Sequence, residues 1–331
     1  MMPSANAMNR LTSRERVRAA MAHKVPDRVP VMCQLALGHY FLFSGFDPVD
    51  IWFDSETFAA VLNALRTRYG FDGILVNVPG RPAHWRDYLA SEEVTAAGRQ
   101  LTWRSGLQTR VPPDDNLHAF AAGGRALPRA DYSSVDVDDP ATYRLAGYVW
   151  NTWHAPGLWD IPGDADLADP AAYPEWFTAS LRAARALCPE ASVHAEVFSP
   201  FTHLLELFGY QNALLVLLET PETCCRLLER FTAMVEAQVD RLAEHEPDAI
   251  LISSAFAGAG FIVAEPLEQV LELTDNLVDP LLRLYSYHSL LVVLSPCRPC
   301  LRRSPLRGDR RPALGRGHCG RAVPPALPAP G

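Results

Sequence analysis

The sequence predicts an α/β protein in which short buried strands alternate with amphipathic helices. Three observations carry this. First, Ala249-Ile250-Leu251-Ile252 is a short apolar run of the kind that suits a strand covered on both faces. It breaks at once into Ser253-Ser254-Ala255 and then Phe256-Ala257-Gly258-Ala259-Gly260. Second, two further strand-like runs, 71–78 (FDGILVNV) and 191–197 (ASVHAEV), each follow a helical pattern, at 55–69 and 175–188. Third, residues 221–244 place Leu227, Leu228, Phe231, Met234 and Val235 on one helical stripe just ahead of the 249–252 run. The carboxyl ends of parallel strands face a common cleft, so residues 248–262 are a natural place for chemistry. Gly258 and Gly260 suit a close backbone approach to a ligand, although on this stretch alone an ordinary turn into a helix is the commoner use.

In chain order, Thr12-Ser13-Arg14-Glu15 has the pattern of a capping box, and a helix is expected to run to about His23 with Val17, Ala20 and Met21 inward. Val25-Pro26-Asp27-Arg28 ends it, and Val29–Cys33 is expected to be the first strand. The pattern at 55–69 stops at Gly70, a suitable helix C-cap. Pro79-Gly80-Arg81 is the loop after the 71–78 strand. Residues 82–175 are less regular, with a hairpin turn at Ser105-Gly106. His194 and Glu196 lie two apart and so point to one side of the 191–197 strand, close to its end. Near the mouth of a cleft they form an acid/base or metal-ligand pair; lower down they form a hydrogen-bonded structural pair. Phe198-Ser199-Pro200-Phe201-Thr202-His203 follows, then a helix from about Leu204.

The opening, Thr12–Val31 with its TSRERV…H…PDRVPV order, resembles the uroporphyrinogen decarboxylase superfamily, and Phe198–Thr202 resembles that family's GPFT segment. The likeness runs over roughly 12–262 and implies a TIM-type (β/α)8 barrel, incomplete at the C-terminus. It implies an enzyme acting on a tetrapyrrole or corrinoid-linked substrate. Two reactions stand within it: decarboxylation of uroporphyrinogen to coproporphyrinogen, with no cofactor, and methyl transfer, with zinc and a corrinoid protein as partner. The decarboxylase's arginine-rich RQAGRY segment is replaced here by Gln34–Tyr40, which has no arginine. Bidentate guanidinium groups are the best holders of substrate carboxylates, so their loss favours methyl transfer. Where the decarboxylase carries an aspartate the register gives Pro79 with Asn77 nearby, and where it carries a tyrosine the register gives Glu206.

The candidate site residues are His194, Glu196 and Asn77 as catalytic groups and Arg81, Phe198, Phe201, Ser254 and Phe256 as substrate contacts. Trp153, Trp159 and Trp176 are candidates for lining a flat macrocycle, although scattered tryptophans more often serve packing. The zinc candidates are His288, Cys297, Cys300, His318 and Cys319; Cys297–Cys300 has C-x-x-C spacing, yet none follows a strand in the family's His-x-Cys-Gly setting. The metal ligands are therefore left unassigned.

Residues 296–331 hold eight arginines, eight prolines and one acidic residue, a composition that does not readily build a core. The expected domains are a barrel domain over 1–295 and a disordered tail over 296–331, the tail reflecting a lost reading frame somewhere in 263–295. Leu267–Leu273 and Leu277–Leu284 are helical candidates, and Ser289–Leu294 is one more strand. A sheet stopped halfway leaves two edges, which points to a catalytically silent remnant or to a homodimer that pairs two half-barrels. The chain's formal charge of −8 argues against nucleic acid as partner. No signal-peptide core and no spanning run stand in the sequence, so a cytoplasmic protein without membrane contact is expected. Seven cysteines in 331 residues fit a reducing compartment.

Overall fold

The structure, a computed structural model, describes residues 10–143, 160–162, 164–254 and, for the backbone alone, 290–294. Residues 1–296 form one compact unit; 297–331, a second, lie outside the described residues.

Helix α1 (Ser13–Met21) starts on the expected capping box, with the Glu15 amide donating to Thr12 Oγ1 and the Thr12 amide to Glu15 Oε2. Its inward face differs from expectation. Arg16 and Val17 are buried, whereas Met21 is 37 % exposed, because the helix is clipped down by ion pairs rather than by an apolar stripe. Val29–Cys33 is not a strand. Val29 and Val31 are exposed and Pro30 has no amide to give, so the backbone pairing of the segment with the sheet stops at the Val31–Asp72 bond of 2.7 Å.

Three helices follow: α2 (Leu37–Ser44), α3 (Pro48–Phe53) and α4 (Ser55–Tyr69). Asp54 caps α4 through the Thr57 amide, and Gly70 leaves it at φ +68°, the left-handed conformation that favours glycine. Strand β1 (Gly73–Val76) comes next. Part of the region expected to be irregular is a second, five-stranded antiparallel sheet: β2 (Leu89–Thr95), β3 (Gly98–Trp103), β4 (Gln108–Val111), β5 (His118–Ala121) and β6 (Arg125–Ala126), in sequential order. The Ser105-Gly106 turn joins β3 to β4 as expected. Trp85 and Trp103 seat this sheet against Phe53 of α3, at ring distances of 5.1 and 5.2 Å.

Helix α5 (Ala179–Leu187) leads to β7 (Ser192–Phe198), then α6 (Pro200–Phe208), α7 (Tyr210–Glu219), α8 (Pro221–Ala243), β8 (Ala249–Ser254) and β9 (Leu290–Leu294). Helix α6 begins four residues earlier than expected because Ser199 caps it, accepting from the Thr202 amide, with Pro200 at the first turn. The α6–α7 break at Gly209 turns the chain by 107°, and among the described residues no single helix is long and apolar enough to cross a membrane. All five expected stripe residues of α8 are buried.

The main sheet has the order β1-β7-β8-β9. β1, β7 and β8 are parallel, and β9 is antiparallel to β8, with Leu251 opposite Val293. A (β/α)8 barrel is parallel throughout; among the described residues these four strands agree with the expected α/β class and do not show a complete barrel. The result is a mixed α/β fold with a parallel centre. Ile74, Val76, Val193, Ala195, Val197, Ile250 and Ile252 point into the helix-covered core. By alternation Leu75, His194, Glu196, Phe198, Leu251 and Ser253 share the other face.

Gly80 shows how tightly the end of β1 is packed. A Cβ there would stand 1.8 Å from the Trp176 carbonyl oxygen and 2.6 Å from the Ala179 amide nitrogen. Both obstacles are backbone, so Gly80→Ala is expected to cost about 3 kcal/mol, the upper end of overpacking. A urea midpoint unchanged from the wild type would show that the loop yields instead.

Candidate functional site

At the amino ends of the strands, two acids clip α1 beneath the sheet. Asp72 is fully buried and accepts from Arg16 Nη1 at 2.6 Å, Arg28 Nη1 and Nη2 at 2.8 Å each, Ser13 Oγ at 3.0 Å and the Val31 amide at 2.8 Å. Asp248 accepts from Arg14 Nε at 2.7 Å, Arg185 Nη1 at 3.0 Å and the Val193 amide at 3.1 Å. Burial alone would raise both acids, but these donors outweigh it and hold their pKa values below the usual carboxylate range. This end of the sheet is closed by structure, so the opposite end is the place to look for a site.

On the face shared by His194 and Glu196, each has its own partner. His194 Nε2 lies 2.9 Å from Ser192 Oγ, and its backbone sits level with Ala249, the first residue of β8. Burial lowers its pKa, opposed by the charge of Asp248. His194 thus belongs to the lower part of the strand and is tied to Ser192. Glu196 stands one pleat higher, level with Leu251. Gln34 Nε2 approaches its two oxygens at 3.2 and 3.4 Å, and Ser253 also hydrogen-bonds to it. Burial raises Glu196 to about 7, against the pull of those two donors. The Tyr40 hydroxyl, on a side chain only 2 % exposed, is pushed up in pKa by burial and then by the charges of Glu196 and Cys33.

The other expected contacts divide. Asn77, one residue beyond β1, is buried and by alternation falls on the Glu196 face. Phe198 ends β7 on that face, half-buried. Phe201 is fully buried in the first turn of α6 and belongs to the hydrophobic core, because α6 starts at Pro200 and turns it inward. Ser254 is directed away by the pleat and accepts from Ser199 Oγ at 2.7 Å, tying β8 to α6; the neighbouring Ser253 faces Glu196 instead. Arg81 does not join this group: its Nε donates to the Trp52 carbonyl at 3.3 Å, on the α3 side. Trp176 donates from Nε1 to Asp160 at 3.2 Å. Phe256, Trp153, Trp159, the two loop glycines and all five zinc candidates lie outside the described residues, as do the two helical candidates after residue 263.

Gln34, Tyr40 and Ser253 are the members of this site that the sequence did not single out. Only Ser253 had a local signal, the period of two that places it level with Phe198 and one pleat above Leu251. Between the end of β1 and α5 lies a cavity of about 30 Å³, lined by Val78, Gly80, Phe177, Leu181 and Glu196. It has room for a water or two. Among the described residues no group of three His, Cys, Asp or Glu could hold a metal. What the arrangement can do is proton transfer: a half-buried carboxyl that changes charge near neutrality, held by two uncharged donors.

No protein-family model matches the chain, and no curated protein matches it. Six solved chains match it in structure. One, a methyltransferase from Methanosarcina mazei, is similar with a TM-score of 0.48 and 13 % sequence identity, over 78 % of this chain. The chain spans 64 % of the length of that methyltransferase.

Proposed function

We propose that the chain is an enzyme of the uroporphyrinogen decarboxylase superfamily, transferring a methyl group between a corrinoid-linked or tetrapyrrole substrate and a thiol, with Glu196 as its acid/base. The observation that supports this reading is the contact between Gln34 and Glu196. Where the decarboxylase has arginines to bind carboxylates, an uncharged amide meets a carboxyl that burial has raised to about 7. A polycarboxylate would be repelled by such a face once Glu196 ionises. A neutral thiol would not.

A bound corrinoid protein would supply the methyl group. The chain's own share is the proton: as the thiol sulfur takes the methyl group, with the electron pair of the broken methyl–corrinoid bond staying on the corrinoid, its S–H proton would pass to the Glu196 carboxylate. A carboxyl near 7 is close enough to a thiol's ordinary pKa of about 8.5 for this transfer to be nearly balanced. Gln34 and Ser253 hold the carboxylate in place, and Asn77 and Phe198 border the bound group. The described residues do not fit a zinc site, and no step is assigned to a metal.

The test is a pair of assays on the full chain. Methylcobalamin with a small thiol is followed by the loss of its absorbance, and uroporphyrinogen is followed by chromatography of its oxidised products. Thiol-dependent demethylation with no coproporphyrin is the expected result. Coproporphyrin without demethylation assigns decarboxylation instead, with Glu196 supplying the proton that replaces the lost carboxyl group. Neither activity would make the chain a silent relative of the superfamily and end this reading.

A further inference from the structure

Arg81 stands apart from the Glu196 face and has no matching charge among the described residues. It is 3 % exposed, yet no ion pair involves it among the described residues, and its Nη2 is buried without a hydrogen-bond partner. The rest of the residue is fixed. Its amide donates to Ser55 Oγ at 2.9 Å, its Nε donates to the Trp52 carbonyl at 3.3 Å, and the Phe53 ring centre lies 6.0 Å from the guanidinium carbon. The preceding Gly80 is locked by its own amide, which donates to the Phe177 carbonyl at 3.0 Å. Burial lowers the guanidinium only to about 10, so it stays charged at neutral pH.

A buried charge is costly unless something pairs with it. With Nε occupied by Trp52, the two terminal nitrogens remain, and these present parallel donors at the spacing of two oxygens on one carbon or phosphorus. The residue also sits in the loop after β1, at the carboxyl end of the parallel strands where α/β folds receive ligands. We propose that the Nη1–Nη2 edge of Arg81 binds one oxyanion group, a carboxylate or a phosphate, of a small-molecule ligand. Because Ser55 and the locked Gly80 fix the backbone of Arg81 and the Trp52 carbonyl holds its Nε, little ordering is lost when the anion arrives. The assignment goes beyond the methyl-transfer reading and does not depend on it, since it concerns a separate group and needs no turnover.

The test is thermal unfolding of the full-length chain against inorganic phosphate and, separately, acetate, each matched to chloride at equal ionic strength, for the wild type and R81M. The wild type is expected to gain about 5 °C with saturation at roughly a hundred times Kd, and R81M to gain nothing beyond chloride. A gain with phosphate alone assigns a phosphorylated ligand, and one with acetate alone a carboxylate. If R81M does not fold, R81K takes its place: a point charge cannot reproduce the fork, and its apparent Kd is expected to rise about tenfold or more. No gain over chloride in the wild type overturns the proposal. So does an equal gain in the variant.

Discussion

Asp72→Ala is expected to lower the unfolding free energy by about 3–5 kcal/mol, the range for breaking a buried ion pair from one side. Asp72 is fully buried and takes both terminal nitrogens of Arg28, one of Arg16, the Ser13 hydroxyl and the Val31 amide. Removing its carboxylate strands Arg16, itself only 3 % exposed, with Asp27 as its remaining acid. It also removes the side-chain bonds from Arg28 and the Val31 amide, leaving the 28–31 segment with only the Val31–Asp72 backbone bond at the foot of β1. The cost should depend on pH. The donors hold the folded pKa of Asp72 below its ordinary value of 3.8, so its contribution is complete above about pH 4 and fades as the pH falls through the lowered folded value. Urea unfolding of both proteins at pH 7 and again near pH 3 measures this. A difference under about 1 kcal/mol at pH 7 would mean that water replaces Asp72 without penalty, and the closed amino end would not be the anchor of the sheet.

That anchor was only half legible in the sequence. Asp72 and Asp248 stand just ahead of strand-like runs and were visible as positions, but their partners lie up to 234 residues away, and no periodicity encodes such a pairing. What is local came through. The capping box of α1, the 55–69 helix and its glycine stop, the Ser105-Gly106 turn and the buried stripe of α8 each depend on residues within a few positions of one another. Failures fall where a distant neighbour decides. Val29–Cys33 is apolar enough for a strand, but its ladder with β1 never develops beyond Val31 and Asp72. The run at 290–294 reads alike in either direction, so its antiparallel pairing could not be read from it. The resemblance implies Phe201 as a substrate contact, but Ser199 caps α6 so that the helix starts at Pro200 and Phe201 lies in the core. In the candidate site, the face shared by His194 and Glu196 followed from a period of two. Their separation into different hydrogen-bonded settings did not, because Ser192, Gln34 and Ser253 select it through space.

Glu196→Gln is expected to lower kcat by about 10²–10⁴ in whichever of the two reactions the full chain proves to catalyse, the usual worth of a positioned acid or base. The amide keeps the shape and the neutral character of the protonated carboxyl, so the loss should come without a loss of fold. Stability should in fact move the other way. Burial raises the folded pKa of Glu196 to about 7, above its ordinary 4.5, so the folded state binds the proton more tightly. Stability from that proton is complete below about pH 4.5 and is lost as the pH rises through 7. Glutamine has no charge to bury, and the variant should match the wild type near pH 4.5 and exceed it at pH 8 by an amount of order 2–3 kcal/mol. Glu206, also raised to about 7 by burial, titrates in both proteins and cancels from the difference. The rate carries the complementary signature. If Glu196 accepts the thiol proton, wild-type kcat climbs with pH through about 7, and the variant has no such limb. A variant that is less stable than the wild type at pH 8, with an unaltered pH–rate profile, would mean that Glu196 is ionised and held in place by Gln34 and Ser253 as a structural group. The proton would then have to be taken by another residue, and His194, one pleat below and bonded to Ser192, is the first to replace.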